Sequence, residues 1–498
     1  MLLLKLAPDW KVEVLVAATP EEAKKNIEFI AFDLITVDLS LRADDGSPLD
    51  VNREGGELFE AIAASEKNRW TALIVVSARA DDDSFHMALS GFNVHKIIRK
   101  QAFKDAAFHE ACRRAMMAAR LRRAAEFPEN RYLLTFSLDE AEWRSCQISG
   151  CENFNPRYPK HACPVDIQQM ADEADLVGDL LETHGQRKDL SEKWRKQAQK
   201  TGQKMYEILE NIPEFKADIT RFLDFNEKKL PVWMSFSGPS AALALPVELM
   251  RRGDDDLARQ MVITRSLANS GETGKKAPPF YRFIGELWEK KLPLRVLLVA
   301  ANSDGMVPGV DVEIKTVAKI IKRECDFLGL GSDITLIPTA EADYERVQRA
   351  LGEHYHIFHF AGHGRFNENR AESSELDISS GTGKRLTAGV LHLMLARSGV
   401  QLALLSCCLG GRSAAYSGGG DFRGTLEALA RTGVPFVLGH RWIISDMGGL
   451  YFAANFYENL LQHFLPGSAL LAARQEVYKR EGGDSSTWMA PVLVSQSD

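Results

Sequence analysis

His363 and Cys408 are the residues of this sequence whose types and settings could do nucleophilic chemistry together. Each follows a short apolar run. His356-Ile357-Phe358-His359-Phe360-Ala361 leads into Gly362-His363-Gly364, and Leu402-Ala403-Leu404-Leu405-Ser406 leads into Cys407-Cys408 and then Gly410-Gly411. A neutral imidazole can take a thiol proton, and the resulting thiolate attacks a carbonyl carbon. The glycines serve the same chemistry. They let the chain turn sharply about His363 and leave N–H groups for a developing oxyanion, a donor whose loss costs about 10²–10³ in rate. Taken singly, these would be a satisfied loop histidine and two small buried hydrophobes. Paired, with glycines at both, they read as the site of a cysteine hydrolase.

The intervening elements must bring the two together. Residues 386–397 carry Leu386, Val390, Leu393 and Met394 at helical spacing, and Ser398-Gly399 ends the run. Strand, helix, strand predicts a parallel pair joined by a right-handed crossover. Both residues then lie at the carboxyl ends of parallel strands, the edge where open α/β sheets place their sites.

The two stretches 356–364 and 404–411 resemble the paired motifs of the CHAT domain, a group of caspase- and separase-related cysteine peptidases. The resemblance continues through Leu386-Thr387-Ala388, Trp442 with Asp446, Phe456-Tyr457-Glu458-Asn459-Leu460, and Trp488. Upstream, Leu243-Ala244-Leu245-Pro246-Val247-Glu248-Leu249 is similar to the stretch that opens the family's sheet region, so the likeness covers about residues 130–498. It implies a caspase-like α/β sheet of mainly parallel strands flanked by helices. By the family's motif the nucleophile is Cys408 and the base His363, with the backbone of Gly364 and Cys408 as oxyanion donors. Cys407 stands where a small residue such as Ala is usual, and Leu409-Gly410 where Glu-Thr is frequent. No third residue to orient the imidazole is named.

The chain's 498 residues, 45% hydrophobic, suit several soluble domains. No apolar run reaches the roughly 18–20 residues of a membrane helix, and Met1-Leu2-Leu3-Leu4-Lys5 is too short for a signal peptide. Seven cysteines in a long chain suggest a reducing cytoplasm. A net charge of −7 gives no reason to expect nucleic acid, and no cofactor is implied.

Residues 1–125 read as a separate α/β unit. Val12-Glu13-Val14-Leu15-Val16 is strand-like, Pro20 to Phe32 helical, and three further strands end at Asp38, Ser77 and near Lys100. The segment resembles a response-regulator receiver, with Asp38 as phosphoacceptor, Ser77 as switch hydroxyl and Lys100 as the phosphate-pairing lysine. The receiver's first strand and helix, which carry the acidic pair that binds Mg²⁺, are missing, unless translation begins upstream. Asp38 alone is a poor Mg²⁺ site. A degenerate receiver used for docking or dimerisation is the expectation. Residues 130–290 then form the front part of the CHAT region, with a helical insertion, and residues 291–498 its caspase-like catalytic part.

Residues 103–123 predict a helix with a basic cluster, a solvated face or a contact between domains. Residues 165–225 predict a helical hairpin, with Leu176, Leu180, Leu181, Met205, Ile208 and Leu209 at helical spacing, packed on the peptidase or open to a partner. Cys146, Cys151, His161 and Cys163 could hold zinc, but C-x4-C with H-x-C fits no common module, and independent loop residues are the expectation. Asp421 and Asp446 are acidic candidates for a pocket taking a basic side chain. Asp446 could equally cap a helix over 448–463. The flexible run Gly418-Gly419-Gly420 would order only on activation.

Two functions follow. The first is an endopeptidase that cuts one partner protein encoded nearby, in a bacterial defence or cell-death module, for example releasing a gasdermin-like pore-former. A regulatory partner or self-association would act through the receiver-like unit. The second is a non-catalytic scaffold built from two decayed domains.

Overall fold

Residues 296–300 and 402–405 are apolar at every position, a pattern satisfied by strands covered on both faces. Both runs are central strands in the computed structural model of the chain. It describes residues 13–38, 56–65, 67–77, 94–126, 132–138, 145–151, 162–164, 167–184, 191–211, 231–238, 245–267, 277–302, 307–365, 375–378, 386–396, 398–408 and 433–496, with a few isolated residues besides. These divide into two compact units, Met1–Glu126 with Glu324–Gly331, and Phe127–Arg323 with Ser332–Asp498.

The first unit has helices α1 (Pro20–Phe29), α2 (Gly56–Ala64) and α3 (Asp105–Glu126) around strands β1 (Leu34–Asp38), β2 (Ala72–Ser77) and β3 (Val94–Arg99). The strands run parallel in the order β1-β2-β3. Thr19 caps α1 by accepting from Glu22 N, and Pro20 holds its first turn. Asn68 is fully buried and ties α1 to the start of β2. Its amide donates to the carbonyls of Ile27 at 2.8 Å and Ile30 at 2.7 Å, and its oxygen accepts from Phe32 N at 2.9 Å. The strand expected over 12–16 does not form among its described residues 13–16. Val14, Leu15 and Val16 are 46%, 50% and 76% exposed and pair with no strand among the described residues, since apolar character alone supplies no edge to join.

The second unit holds one long sheet. Its strands are β4 (Tyr132–Leu138), β5 (Ser145–Cys151), β6 (Ala162–Pro164), β7 (Val232–Gly238), β10 (Val262–Leu267), β11 (Leu294–Ala300), β12 (Ser332–Ile337), β13 (Ile357–Arg365), β16 (Leu402–Cys408), β17 (Phe436–His440) and β18 (Pro491–Ser495). Short strands β8 (Arg251–Arg252) and β9 (Asp255–Asp256) form a separate hairpin, while β14 (Glu375–Leu376) and β15 (Leu386–Thr387) extend β13. The order is β12-β11-β13-β16-β17-β18-β10-β7-β4-β5-β6, antiparallel only at β17-β18 and in the β4-β5-β6 edge. The fold is α/β with a mainly parallel sheet.

Helices α4 (Ile167–His184) and α5 (Ser191–Glu210) form the expected hairpin. Met170, Met205 and Leu209 bury against Val232, Met234 and Ile263 of the sheet, while Leu176 is exposed. The remaining helices are α6 (Phe280–Glu289), α7 (Val310–Leu328), α8 (Tyr344–Leu351), α9 (Ala388–Leu395), α10 (Asp446–His463) and α11 (Pro466–Glu481). Helix α9 is the crossover between β13 and β16. It buries Ala388, Leu391 and Leu395 rather than Leu393, which is 69% exposed.

A buried ionic cluster links β10 to the strands beyond it. Glu248 and Arg265 are 0% and 1% exposed and bond through both carboxylate oxygens. Arg265 and Arg441 also donate to the carbonyl of Leu245, at 2.8 and 3.1 Å. Arg474 of α11 donates to the carbonyl of Pro491, and burial lowers its pKa to about 10.

Candidate active site

Strands β13 and β16 lie side by side in parallel with unbroken register from Ile357↔Leu402 to His363↔Cys408. His363 and Cys408 are therefore register partners, on strands about 4.8 Å apart. His363 is inside β13, which runs on to Arg365, and not in a turn beyond it as expected. Gly362 serves close packing instead of turning. A Cβ there would lie 2.6 Å from the carbonyl oxygen of Ala301 and 2.9 Å from the ring of Phe360.

Alternation along β16 separates the two cysteines. Cys407 is 1% exposed and belongs to the core with Ala403, Leu405, Phe358 and Phe360. Residues Leu404 and Ser406 share the other face with His359, Ala361 and His363. On the far side of β16 the pairing with β17 shifts between Leu405 and Cys408. His440, fully buried, meets that irregularity, with Nδ1 3.3 Å from the carbonyl oxygen of Leu405. Burial, the largest cause, lowers its pKa to about 4, so a neutral ring donates this bond.

A small cleft of about 40 Å³ opens at His363. Gly362 and His363 of β13, Ser406 and Cys407 of β16, Val307 and Gly309 after β11, and Glu313 of α7 line it. Ser445, Asp446 and Gly449 at the start of α10 form the remaining wall. Successive chain order departs from β11 toward β12 on one side and returns as β13 on the other. The cleft thus sits at the switch point where α/β sheets open a crevice.

Asp446 lines this cleft, exposed, but it is not the helix cap. Ser445 caps α10, accepting from Gly448 N at 2.9 Å, and Asp446 occupies the first turn. The hydroxyl of Ser445 takes that role because it precedes the first helical residue and reaches an otherwise unpaired N–H. Asp421, Gly410, Gly411 and the run 418–420 lie outside the described residues. Gly364 is buried beside His363 and pairs with Leu376.

The sequence reading missed the polar layer beneath the dyad. Glu313 and His359 are 4% and 0% exposed, with Oε1 and Nε2 3.1 Å apart, and His359 Nδ1 is 3.2 Å from the hydroxyl of Tyr457. The N–H of His359 does not point squarely at Oε1, so this contact is electrostatic more than a full hydrogen bond. A signal was available: Val310, Ile314, Val317 and Ile321 form the buried stripe of α7, and Glu313 falls on it.

In the first unit, β1, β2 and β3 bring Asp38, Ser77 and Lys100 to one sheet edge. Lys100 Nζ lies 2.6 Å from Asp38 Oδ2, and Ser77 is 2% exposed. Elsewhere, Cys146 and Cys151 lie on β5 and Cys163 on β6, so they are strand residues rather than loop residues. Cys146 and Cys163 are register partners, because the edge strands fold back antiparallel. His161 lies outside the described residues.

An α/β sheet with His and Cys register partners at a switch-point cleft defines a cysteine-peptidase-like protein. The CHAT domain family matches residues 199–496, more than half of the chain, and the chain belongs to that family. The match begins later than the resemblance expected from about residue 130. A search of curated proteins returns no match. Among solved structures, the Arg-specific cysteine proteinase gingipain R (RgpB) is similar at 10% identity and TM-score 0.39, over 74% of this chain and 77% of that one. A chain of the Saccharomyces cerevisiae separase–securin complex is similar at 11% identity and TM-score 0.39, over 89% of this chain and 37% of that one. Neither likeness is close enough to carry chemistry across. Among the described residues, no helix is long and apolar enough to cross a membrane.

Proposed function

We propose that the chain is a cysteine endopeptidase working through His363 and Cys408 on one partner protein. The observation that supports this is their register pairing beside the cleft. His363 takes the proton of the Cys408 thiol, and the thiolate adds to the scissile carbonyl. Backbone N–H groups of Gly364 and Cys408 hold the oxyanion. The intermediate collapses as the imidazolium protonates the leaving amine. Water, deprotonated by His363, then releases the acyl group from Cys408 and restores the thiol.

The substrate in this reading is a protein encoded nearby, cut in the cytoplasm of a bacterium as part of a defence or cell-death module. A gasdermin-like pore-former is one such substrate. Asp446 at the cleft mouth favours a basic side chain before the cut. The test is incubation with the neighbouring gene products beside a Cys408→Ala control, read by intact mass. Cleavage that persists in the control would remove the proposal.

The first unit serves, in the same reading, as a degenerate receiver for docking or self-association. Without an acidic pair for Mg²⁺, acetyl phosphate with Mg²⁺ should leave its mass unchanged. A gain of one phosphoryl group that Asp38→Ala abolishes would make it a working receiver.

A further inference from the structure

We infer that Glu313, on the floor of the cleft, is the specificity-determining residue, and that with Ser406 and Asp446 it takes the guanidinium of an arginine preceding the cut. This rests on the peptidase reading for the cleft's being a substrate pocket.

The carboxylate of Glu313 is held, buried and turned toward the cleft. The Tyr457 hydroxyl lies 3.2 Å from His359 Nδ1, and burial keeps the phenol well above its ordinary pKa, so it stays neutral. His359 Nε2 lies 3.1 Å from Glu313 Oε1, so the ring stands beside one oxygen of the carboxylate. The other oxygen borders the space left by the missing side chain of Gly449. A Cβ there would lie 3.2 Å from Ile444 Cδ1, 3.5 Å from Glu313 Oε2 and 3.6 Å from Ser406 Oγ. Ser406 is 4% exposed, and its buried hydroxyl has no hydrogen-bond partner among the described residues. Asp446 stands at the mouth, with Oδ2 3.8 Å from where a Cβ on Gly309 would be.

This set lacks a cation with several donors. Among the described residues Glu313 has His359 within ion-pair reach but no Lys or Arg, so no permanent cation offsets the burial of its carboxylate. A guanidinium offers five N–H donors in a rigid fork and is weakly hydrated, so it can meet Glu313 and Ser406 at once. An ammonium is a strongly hydrated point charge, and an apolar side chain would leave both floor oxygens buried and unpaired. Ser406 precedes Cys408 by two residues, about 6.6 Å of strand, a span that a long side chain bridges.

The test uses the full chain, peptides varied at the residue before the cut, and benzamidine as a probe that needs no catalysis. Glu313→Gln should lower the Arg-over-Leu ratio of kcat/KM about 100-fold, the effect of truncating one partner of a buried charge pair. It should weaken benzamidine binding, measured by calorimetry, at least tenfold. Ser406→Ala should lower the Arg-over-Lys ratio about tenfold, and it carries the test should Glu313→Gln not fold. Cleavage after apolar residues unaltered by both variants would overturn the proposal. So would the absence of benzamidine binding, or equal binding by wild type and Glu313→Gln. Benzamidine binding that depends on Glu313, in a protein that cuts no peptide and no neighbour, would uphold the cation pocket and remove the peptidase reading.

Discussion

Adjacent cysteines on a strand cannot share an environment, because successive side chains take opposite faces. Cys407 lies in the core with Leu405 and Phe360, whereas Cys408 occupies the register position beside His363. Cys408→Ala and His363→Ala should therefore each abolish cleavage at an unchanged thermal midpoint. Cys407→Ala should keep most activity and lose about 1 kcal/mol of stability from the trimmed core. A dead Cys407 variant beside an active Cys408 variant would reassign the nucleophile. Burial pushes the Cys112 and Cys325 thiols up to about 12, so alkylation at neutral pH should pass them by.

His440 gives this region a pH dependence with a definite sign. Its folded pKa is lowered to about 4 from the ordinary 6.5, so the native state refuses a proton that the unfolded chain accepts. Stability is complete above about pH 6.5 and falls as the pH drops toward 4, by about 3 kcal/mol at the lower end. His356, lowered to about 4 by burial, acts in the same direction. Urea midpoints at pH 7 and pH 4.5 measure the loss, and equal midpoints would contradict it.

At the scale of elements, single polar side chains decide how helices meet strands. Asn68 bonds at its amide to two carbonyls of the α1 end, and its oxygen accepts from Phe32 N and from the Thr71 hydroxyl. Asn68→Ala would leave those groups buried and unpaired, for about 2–3 kcal/mol. Hydrogen exchange should quicken over α1 and β1 and stay unchanged over β13 and β16. Uniform exchange across both units would show that the first unit does not unfold separately. Gly362 shows the same rule for shape. With only 2.6 Å between a Cβ and the Ala301 carbonyl, no side chain fits where β13 passes β11.

At the scale of the molecule, the long sheet is held across its middle by charge as well as by apolar packing. Glu248 is the counter-ion of Arg265 and lies in the field of Arg474, with Arg441 bonded to the same Leu245 carbonyl. Glu248→Ala would leave cations buried without compensation, at about 3–5 kcal/mol. The thermal midpoint should fall by several degrees, and a midpoint within one degree of wild type would show that the arginines rearrange. The effect should reach the active site, because Arg441 of the cluster directly follows β17, the strand beside β16.

The sequence by itself determined the alternation of strands and helices, the parallel pair carrying His363 and Cys408, and the family. Those follow from local periodicity, and from motifs in which neighbouring residues act together. It made 12–16 a strand, which does not form over the described residues 13–16, because an apolar run needs an available sheet edge before it becomes a strand. It offered Asp446 as either a pocket residue or the cap of α10, since Ser445 and Asp446 both suit the cap position and only the backbone shows which precedes the helix. It could mark Glu313 only as a charge on an apolar stripe. Tertiary structure decided that Glu313, Ser406, His359 and Tyr457 meet beneath one cleft, because α7, β13, β16 and α10 are distant in sequence. Their contact is fixed by the order of strands in the sheet, which local patterns do not encode.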